Sequence, residues 1–276
     1  MMGKDTAMEK GKRKIRRFST FRIVEHWMIV LSSVVLLATG LCQRFWHVES
    51  AQWFILKLGG IDSVRLIHRY AGLFFTLEIL LHVGVAFAGV ARRKWEPSMF
   101  IVREDLIAAI HNIRYYFGLE DHAARCDRYD YMEKFEYWTI LIGGFLMIGT
   151  GVVLWLPTIV TRILPGEIIP AAKVLHSNEA MLIFLINAIW HIYNSIFSPE
   201  VFPLDTSIFT GYISRERMMR EHPLELARIE GVEPEDLLGD GVKETDAPAA
   251  PADPALPPGG AEQGSLPPTG PAGVRQ

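Results

Sequence analysis

Four long apolar segments constrain the fold of this chain more than any other feature. They cover about residues 23–43, 65–91, 136–157 and 173–197. A helix needs roughly 20 apolar residues to cross the hydrocarbon core of a bilayer, and these segments are apolar on all faces, as membrane spans are. The sequence therefore predicts an all-α membrane protein built as a four-transmembrane-helix bundle. A water-soluble protein with unusually apolar core helices is the alternative.

Basic residues indicate how the bundle is oriented. Eight lysines and arginines precede the first span, and Arg92, Arg93 and Lys94 directly follow the second. By the positive-inside rule both clusters face the cytoplasm, so we expect a multi-pass protein of the bacterial inner membrane with both termini cytoplasmic. A cleaved signal peptide is disfavoured, because the first span is too long and no small-residue cleavage site follows it.

Composition divides the chain into four regions. A basic cytoplasmic arm that we expect to be mobile (1–22) precedes the transmembrane domain (23–198), which is followed by a cytoplasmic helical extension (199–238) and a Pro/Ala/Gly-rich tail (239–276). The tail has almost no large apolar groups to offset its ordering entropy, so we expect disorder. Apolar residues at helical spacing predict an amphipathic helix at about 103–117 in the connection between the second and third spans. Short helices are expected at about 214–221 and after Pro223.

Histidines recur at matched depths in the second and fourth spans. His68 and His82 are 14 residues apart, and His176 and His191 are 15 apart. Either gap is about 21–22 Å along a helix and close to four turns, so each pair lies near one face. Neutral imidazole is a common axial ligand of haem iron. Two such helices facing each other predict two haems stacked across a membrane.

The chemistry of the rest of the chain bears on this interpretation. A CxxCH motif for covalent haem is absent, so the predicted haems are b-type. Zinc normally takes four ligands close together, whereas these histidines are spread along each helix. Polar residues inside spans are usually functional. A non-redox anchor or assembly protein would use the histidines only to bond neighbouring helices, and a transporter would need broken spans that this sequence lacks.

The first and third spans also repeat one another. Glu25-His26-Trp27 is matched by Glu136-Tyr137-Trp138, and Thr39-Gly40 is matched by Thr150-Gly151. The second and fourth spans match through their paired histidines. The chain is therefore interpreted as a duplicated helix hairpin, in which Tyr137 occupies the place that His26 has in the first copy.

These motifs carry a family resemblance over roughly residues 16–200. Its elements are Arg22-x-x-Glu25-His26-Trp27, Thr39-Gly40, His68-Arg69-x-x-Gly72, Arg128-Tyr129 with Glu133-Lys134-x-Glu136-Tyr137-Trp138, and the two spaced histidines of the fourth span. The pattern resembles the cytochrome b (gamma) subunits of formate dehydrogenases and nickel-iron hydrogenases. The resemblance implies a membrane di-haem subunit that passes electrons between an extracytoplasmic redox partner and the quinone pool. Its partners would be catalytic, iron–sulfur or cytochrome c subunits and quinone, with no nucleic acid.

The resemblance also implies ligands. It makes His68 and His176 the outer haem ligands and His26 with His191 the inner pair. The chain departs from the pattern through a fifth intramembrane histidine, His82, which makes the spacing similar to the cytochrome b of bc-type complexes as well.

Depth gives one criterion for the inner haem. His82 lies about ten residues before Arg92 and His191 about nine before Glu200, so both are roughly 14–15 Å deep. His26 is only about four residues past Arg22. Depth therefore favours His82 opposite His191, with His26 near the haem edge or a quinone, and both assignments stay open.

Charged residues near the spans suggest supporting roles. Arg69, beside His68, and Arg22 or Arg44 are candidates to pair with haem propionates, since guanidinium matches a carboxylate bidentately. Ordinary snorkelling to the interface is the alternative. Glu78, within the second span, is a candidate relay for the proton that quinone reduction consumes, as are Glu25 and Glu136.

Overall fold

A computed structural model of the chain describes residues 13–199 and 201–239. The helices are, in chain order, α1 (Thr20–Arg44), α2 (Glu49–Lys57), α3 (Ile61–Ala91), α4 (Arg103–Tyr116), α5 (Tyr131–Trp155), α6 (Pro157–Val160), α7 (Ile168–Leu185), α8 (Ser207–Thr210), α9 (Arg215–Glu221), α10 (Pro223–Glu230) and α11 (Pro234–Gly239). Helix α7 continues through π-helical turns, Ile186–His191 and Tyr193–Phe197. Two short strands, β1 (Lys14–Arg16) and β2 (Tyr212–Ser214), complete the described elements.

Four helices of the described part are long and apolar enough to span a bilayer: α1, α3, α5 and the combined helix Ile168–Phe197. The predicted four-helix membrane architecture is confirmed. Each helix begins three to five residues before the predicted span. In α1 and α5 the added turn follows a polar cap, Ser19 and Asp130, which hydropathy does not detect. Asp130, for example, accepts from the Glu133 backbone N–H at 2.6 Å, and Glu133 accepts in return from the Asp130 backbone N–H at 2.8 Å, as in a capping box.

The spanning helices pack as two hairpins. Helix α1 packs chiefly on α3 and α5 chiefly on α7, and the contacts of α3 with α5 and of α1 with α7 are sparser. Glycines permit the close approaches, as is common between membrane helices. A Cβ at Gly143 would lie 3.1 Å from Ile183 Cδ1 of α7, and one at Gly144 would lie 3.6 Å from Phe75 Cζ of α3. This arrangement is the one expected of a duplicated hairpin.

Two helices outside the spans lie at opposite ends of the bundle. Helix α2 follows α1 and buries Ile55 against Cys42 and Val64, while its Trp53 stays 60 % exposed, as suits a membrane–water interface. The amphipathic helix predicted at 103–117 is α4, and Lys134 at the start of α5 donates to its Asp105 at 2.7 Å.

The described ends of the chain fold together against the end of the bundle where α1 and α5 begin. Strand β1 pairs antiparallel with β2, with Ile15 opposite Ile213. Ile213, Met218 and Leu226 form a buried cluster with Ile15 packed on it. We call β1, β2 and α8–α10, with the segment 119–130 before α5, the terminal cap. It contains the two short helices expected in the extension.

The terminal cap differs from the expectation of a mobile arm at 1–22. Arg17 is only 5 % exposed, and it donates to Glu225 at 2.6 Å and to the carbonyl of Arg128 at 2.7 Å. Local sequence could not indicate this pairing because Glu225 is about 200 residues away. The arm's first twelve residues, and the tail from residue 240 on, lie outside the described residues, so those expectations stay predictions.

Candidate functional site

His68 of α3 and His176 of α7 face each other at the end of the bundle away from the terminal cap. Their ring centroids are 6.3 Å apart, with the planes inclined at 74°. Each ring is held by a threonine of the preceding spanning helix, α1 for His68 and α5 for His176. Thr39 Oγ1 lies 2.8 Å from His68 Nδ1, and Thr150 Oγ1 lies 2.9 Å from His176 Nδ1. We call these two histidines the first pair.

The two threonines determine which nitrogen of each ring is protonated. Thr39 donates to the Val35 carbonyl at 2.6 Å and Thr150 to the Leu146 carbonyl at 2.7 Å. Since each hydroxyl proton is used there, the threonine oxygen accepts from the histidine Nδ1–H. Nε2 is then the unprotonated nitrogen, the form in which imidazole binds a metal.

His26 of α1 and His191 of the π-helical turn after α7 form the second pair, near the terminal cap. Their ring centroids are 6.2 Å apart at an inclination of 35°. His191 Nδ1 lies 2.8 Å from Glu136 Oε1. Among the described residues the buried Nδ1 of His26 has no hydrogen-bond partner.

His82 is held elsewhere, and both of its ring nitrogens are engaged. Nδ1 lies 2.8 Å from Glu25 Oε1, and Nε2 lies 2.9 Å from the Tyr137 hydroxyl. The structure thus brings His26 beside His191, and it differs from the arrangement that depth favoured. Depth along a helix is fixed by residue count, but the direction of a side chain around the helix axis depends on how the helices pack.

Both histidine pairs fit a six-coordinate haem iron. Two metal–imidazole bonds of about 2 Å each, with about 1.1 Å more from each nitrogen to its ring centre, place the centroids about 6.2 Å apart. The observed separations, 6.3 and 6.2 Å, match this value. The 2.9 Å contact of His82 with Tyr137 is too short to hold a metal, since two such bonds need about 4 Å between the donor atoms.

Glycines flank the first pair on both sides. A Cβ at Gly40 would lie 3.4 Å from His68 Cε1, and one at Gly151 would lie 3.4 Å from His176 Cε1. In each copy of the repeated Thr-Gly pair, the threonine therefore contacts the histidine ring and the glycine leaves room for it. The sequence shows this Thr-Gly repeat but by itself did not connect it to the histidines. The repeat occurs in the span before His68 and again in the span before His176, which could have indicated the contact.

Two other predicted site residues, Arg69 and Glu78, lie apart from the paired rings. The Arg69 guanidinium is 6.0 Å from the Trp155 ring centroid and lines an open groove with Asp62 and Arg65. Glu78 is buried between α3 and α1, where it accepts from Ser32 at 2.7 Å. Within the described residues, no three or more His, Cys, Asp or Glu side chains are grouped closely enough to hold a metal ion by themselves.

Sequence comparisons decide the family. The sequence profile described as "Prokaryotic cytochrome b561" matches residues 17–211, which include all four spans and the five intramembrane histidines. The chain belongs to this family. Because it is a family of b-type cytochromes in membranes, membership implies a bacterial membrane protein with b-type haem, as the histidine pairs indicate.

Several curated relatives carry one kind of name. The "Formate dehydrogenase, cytochrome b556(fdo) subunit" of Escherichia coli (strain K12) is 22 % identical over 78 % of this chain and 92 % of its own length. The "Formate dehydrogenase, nitrate-inducible, cytochrome b556(Fdn) subunit" of the same strain is 23 % identical over 85 % of this chain and 100 % of its own. A "Formate dehydrogenase, cytochrome b556 subunit" of Haemophilus influenzae is 23 % identical over 76 % and 81 %. These names match the family that the sequence motifs resemble.

Proposed function

We propose that this protein is the membrane di-haem cytochrome b subunit of a respiratory complex and transfers electrons between an extracytoplasmic redox subunit and the quinone pool. One observation carries the proposal: two histidine pairs stand at ligand separation, 6.3 and 6.2 Å between centroids. The two α7 ligands, 15 residues apart, put the pairs about 22 Å apart along that helix. Two redox centres so placed connect the two sides of a bilayer.

Each residue of the two sites has a distinct role in this proposal. His68 and His176 would hold the iron of one haem, and His26 and His191 would hold that of the other. Thr39, Thr150 and Glu136 keep Nδ1 engaged and Nε2 available. When bound, the haems supply the one-electron chemistry, and the protein sets their axial ligands, spacing and surroundings.

The orientation follows from charge. Lys14, Arg16, Arg17 and the run Arg92–Lys94 belong to the end of the bundle with the terminal cap, so that end faces the cytoplasm by the positive-inside rule. The first pair is then the outer site, the second pair the inner site, and both termini are cytoplasmic in a bacterial inner membrane. Arg69, one residue from His68 along the chain, is the candidate that would pair with a propionate of the outer haem.

The partner follows from the relatives' names. Since three of them are cytochrome b556 subunits of formate dehydrogenases, we infer that the extracytoplasmic partner is the catalytic and iron–sulfur part of a formate dehydrogenase. Electrons from formate would enter at the outer site and leave to quinone at the inner one, and the reverse direction uses the same path.

The decisive experiment counts and reduces the haems. In membranes holding the assembled complex, we expect two b-type haems per chain by the pyridine haemochrome assay and a reduced-minus-oxidised α-band on adding formate. A short-chain quinone should reoxidise them. Absence of a b-type band would refute the redox role and favour an anchor without haem.

A further inference from the structure

The chain between α3 and α5 does not leave the bundle directly, but folds back along it. Helix α3 ends at Ala91, and Arg93 then adopts the left-handed backbone region with a φ of 53°. The Trp95 ring packs directly on Gly89 of α3, where it leaves no room for a Cβ. We call residues 95–117, which run from this contact to the residue after α4, the return segment.

The first part of the return segment is fixed to the side of α5 at a defined depth. The Trp138 indole N–H donates to the Met99 carbonyl at 2.8 Å, and the Phe100 ring lies 5.8 Å from the Trp138 ring. Trp138 is seven residues after Tyr131, where α5 begins, which is about 10 Å along the helix. Met99 and Phe100 therefore lie well inside the ends of the spanning helices.

A second contact gives a similar depth. The hydroxyl of Tyr137, the neighbour of Trp138 in the chain, lies 2.9 Å from His82 Nε2. His82 is nine residues before Ala91, the last residue of α3, and nine residues are about 13–14 Å of helix. Measured on two spanning helices, the return segment thus starts about 10–14 Å inside their ends, at a level where lipid surrounds the bundle.

Helix α4 continues the return segment with two unlike sides. On one side Asp105 accepts from Lys134 of α5 at 2.7 Å, and Asn112 accepts from the Ala124 backbone N–H of the terminal cap at 2.7 Å. The other side carries large apolar residues spaced four, three and four apart, as on one face of a helix. Each of them is more than half exposed, and we call them the apolar stripe: Leu106, Ile110, Ile113 and Phe117.

The apolar stripe is continuous with exposed apolar residues before it and is bordered by basic ones. Ile101 and Val102, which directly precede α4, are 60 % and 47 % exposed. Soluble proteins rarely expose a contiguous apolar patch of this kind to water. Arg103 follows at the edge of the stripe, and the run Arg92–Lys94 precedes the segment. Helices that lie in a membrane interface combine such an apolar face with basic side chains that extend to the phosphates.

From these observations we propose that the return segment is embedded in the bilayer leaflet on the side of the terminal cap, with phospholipid as the occupant of the apolar stripe. The stripe packs among acyl chains, and Arg103 pairs with a lipid phosphate. Lipid fits better than a water-soluble partner, because the segment starts below the ends of the spanning helices, where such a partner does not reach. The inference depends on the four spans alone, so it stands or falls separately from the proposed electron transfer.

The test measures what surrounds the stripe in the assembled complex, reconstituted into phosphatidylcholine vesicles. Single spin labels are attached at Ile110→Cys and Ile113→Cys of the stripe, and at Glu104→Cys, an exposed position on another side of α4, as the matched control. The native cysteines are removed by Cys42→Ala and Cys126→Ala. Power saturation of the electron paramagnetic resonance signal then gives the collision rates of each label with oxygen, which concentrates in lipid, and with a water-soluble nickel chelate.

The two reagents distinguish the possible occupants. Because moving a polar solute into hydrocarbon costs more than the roughly 1.4 kcal/mol that corresponds to tenfold exclusion, both stripe labels should collide with nickel at least about tenfold less often than the Glu104→Cys label. Their oxygen collision rates should be higher than that of the control. Low rates with both reagents would mean that protein covers the stripe, and a nickel rate equal to the control would mean that water does. Either result at both stripe positions overturns the inference, and circular dichroism equal to that of wild type shows that the labelled variants are folded.

Discussion

At the scale of single residues, the state of one nitrogen decides whether a histidine can bind iron. His68, His176 and His191 each have Nδ1 within 2.9 Å of a threonine or glutamate oxygen, which leaves Nε2 for a metal. In His82 the hydroxyl of Tyr137 occupies Nε2. The five intramembrane histidines are thereby divided into four iron-competent rings and one hydrogen-bonding ring.

This division predicts the haem content of two alanine variants. We expect His26→Ala to lose one of the two haems, because it removes one ligand of the inner site. His82→Ala should retain both haems, because the His82 nitrogens contact Glu25 and Tyr137 and not another histidine. Pyridine haemochrome counting on purified protein measures this, and the opposite result would restore the pairing of His82 with His191 that depth favoured.

The threonines that hold the first pair give another prediction at this scale. Thr39→Val removes the acceptor for His68 Nδ1–H, and loss of such an outer partner typically weakens metal binding by about 10–100-fold. We expect haem to be lost from the outer site on dilution, while the inner haem remains. Thr76→Val is the control, because Thr76 of α3 bonds a helix carbonyl, Gly72, at 2.7 Å and holds no histidine. Equal haem loss in both variants would contradict the assigned role.

At the scale of helices, duplication explains the symmetry of the site and its limits. The first pair joins equivalent positions of the two hairpins, so each partner has the same Thr-Gly support. The second pair joins non-equivalent positions, His26 of the first hairpin and His191 of the second. The equivalent residues are Tyr137, at the place of His26, and His82, at the place of His191, and these two contact each other as well. One substitution between two copies of a motif thus separates a metal site from a hydrogen-bonding site.

Close packing within the second hairpin can be tested with two glycines of α5. An alanine at Gly143 would put its Cβ 3.0 Å from Glu179 Oε1 and 3.1 Å from Ile183 Cδ1, whereas no described atom outside the local helix comes within 4 Å at Gly149. Glycine to alanine favours a helix by up to about 1 kcal/mol, so Gly149→Ala should leave thermal stability equal or higher. Gly143→Ala should lower the free energy of unfolding by about 1–3 kcal/mol through overpacking. Thermal unfolding in detergent compares the two, and equal midpoints would exclude a close α5–α7 approach at Gly143.

At the scale of the molecule, the terminal cap joins distant parts of the chain beside the inner site. Glu225 is held by both Arg17 and Arg128, each at 2.6 Å, and Trp27, next to His26, donates to the Ile208 carbonyl at 3.3 Å. Removing one partner from a buried ion pair is strongly destabilising. The cap therefore makes the start of α1 depend on residues that follow the last span.

The cap should weaken in acid through His222. Burial, with the nearby Arg17 charge, lowers the pKa of His222 to about 4 from an ordinary value of 6.5, and its Nδ1 donates to the Asp127 carbonyl at 2.8 Å. Because the folded cap binds fewer protons than the unfolded chain between these values, stability is full above about pH 6.5 and falls as the pH drops toward 4. Hydrogen exchange of α9 and α10 at pH 7 and pH 5 measures this. His222→Gln should reduce the difference, and an unchanged difference would locate the acid sensitivity in another group.

The sequence by itself determined the four spans, the duplicated hairpin, the amphipathic helix at 103–117 and the five candidate histidines. These features depend on hydropathy and residue spacing, which act within one helix and can be read along the chain. Hydropathy placed the starts of α1 and α5 late because their caps, Ser19 and Asp130, are polar.

Only the tertiary structure decided three contacts. His26 lies beside His191, the Tyr137 hydroxyl contacts His82 Nε2, and strand Lys14–Arg16 pairs with strand Tyr212–Ser214. The physical reason is the same in each case. Helix rise determines how deep a side chain lies, but its neighbour depends on the rotation and packing of separate helices, and a strand pairing across nearly 200 residues leaves no local pattern in either segment.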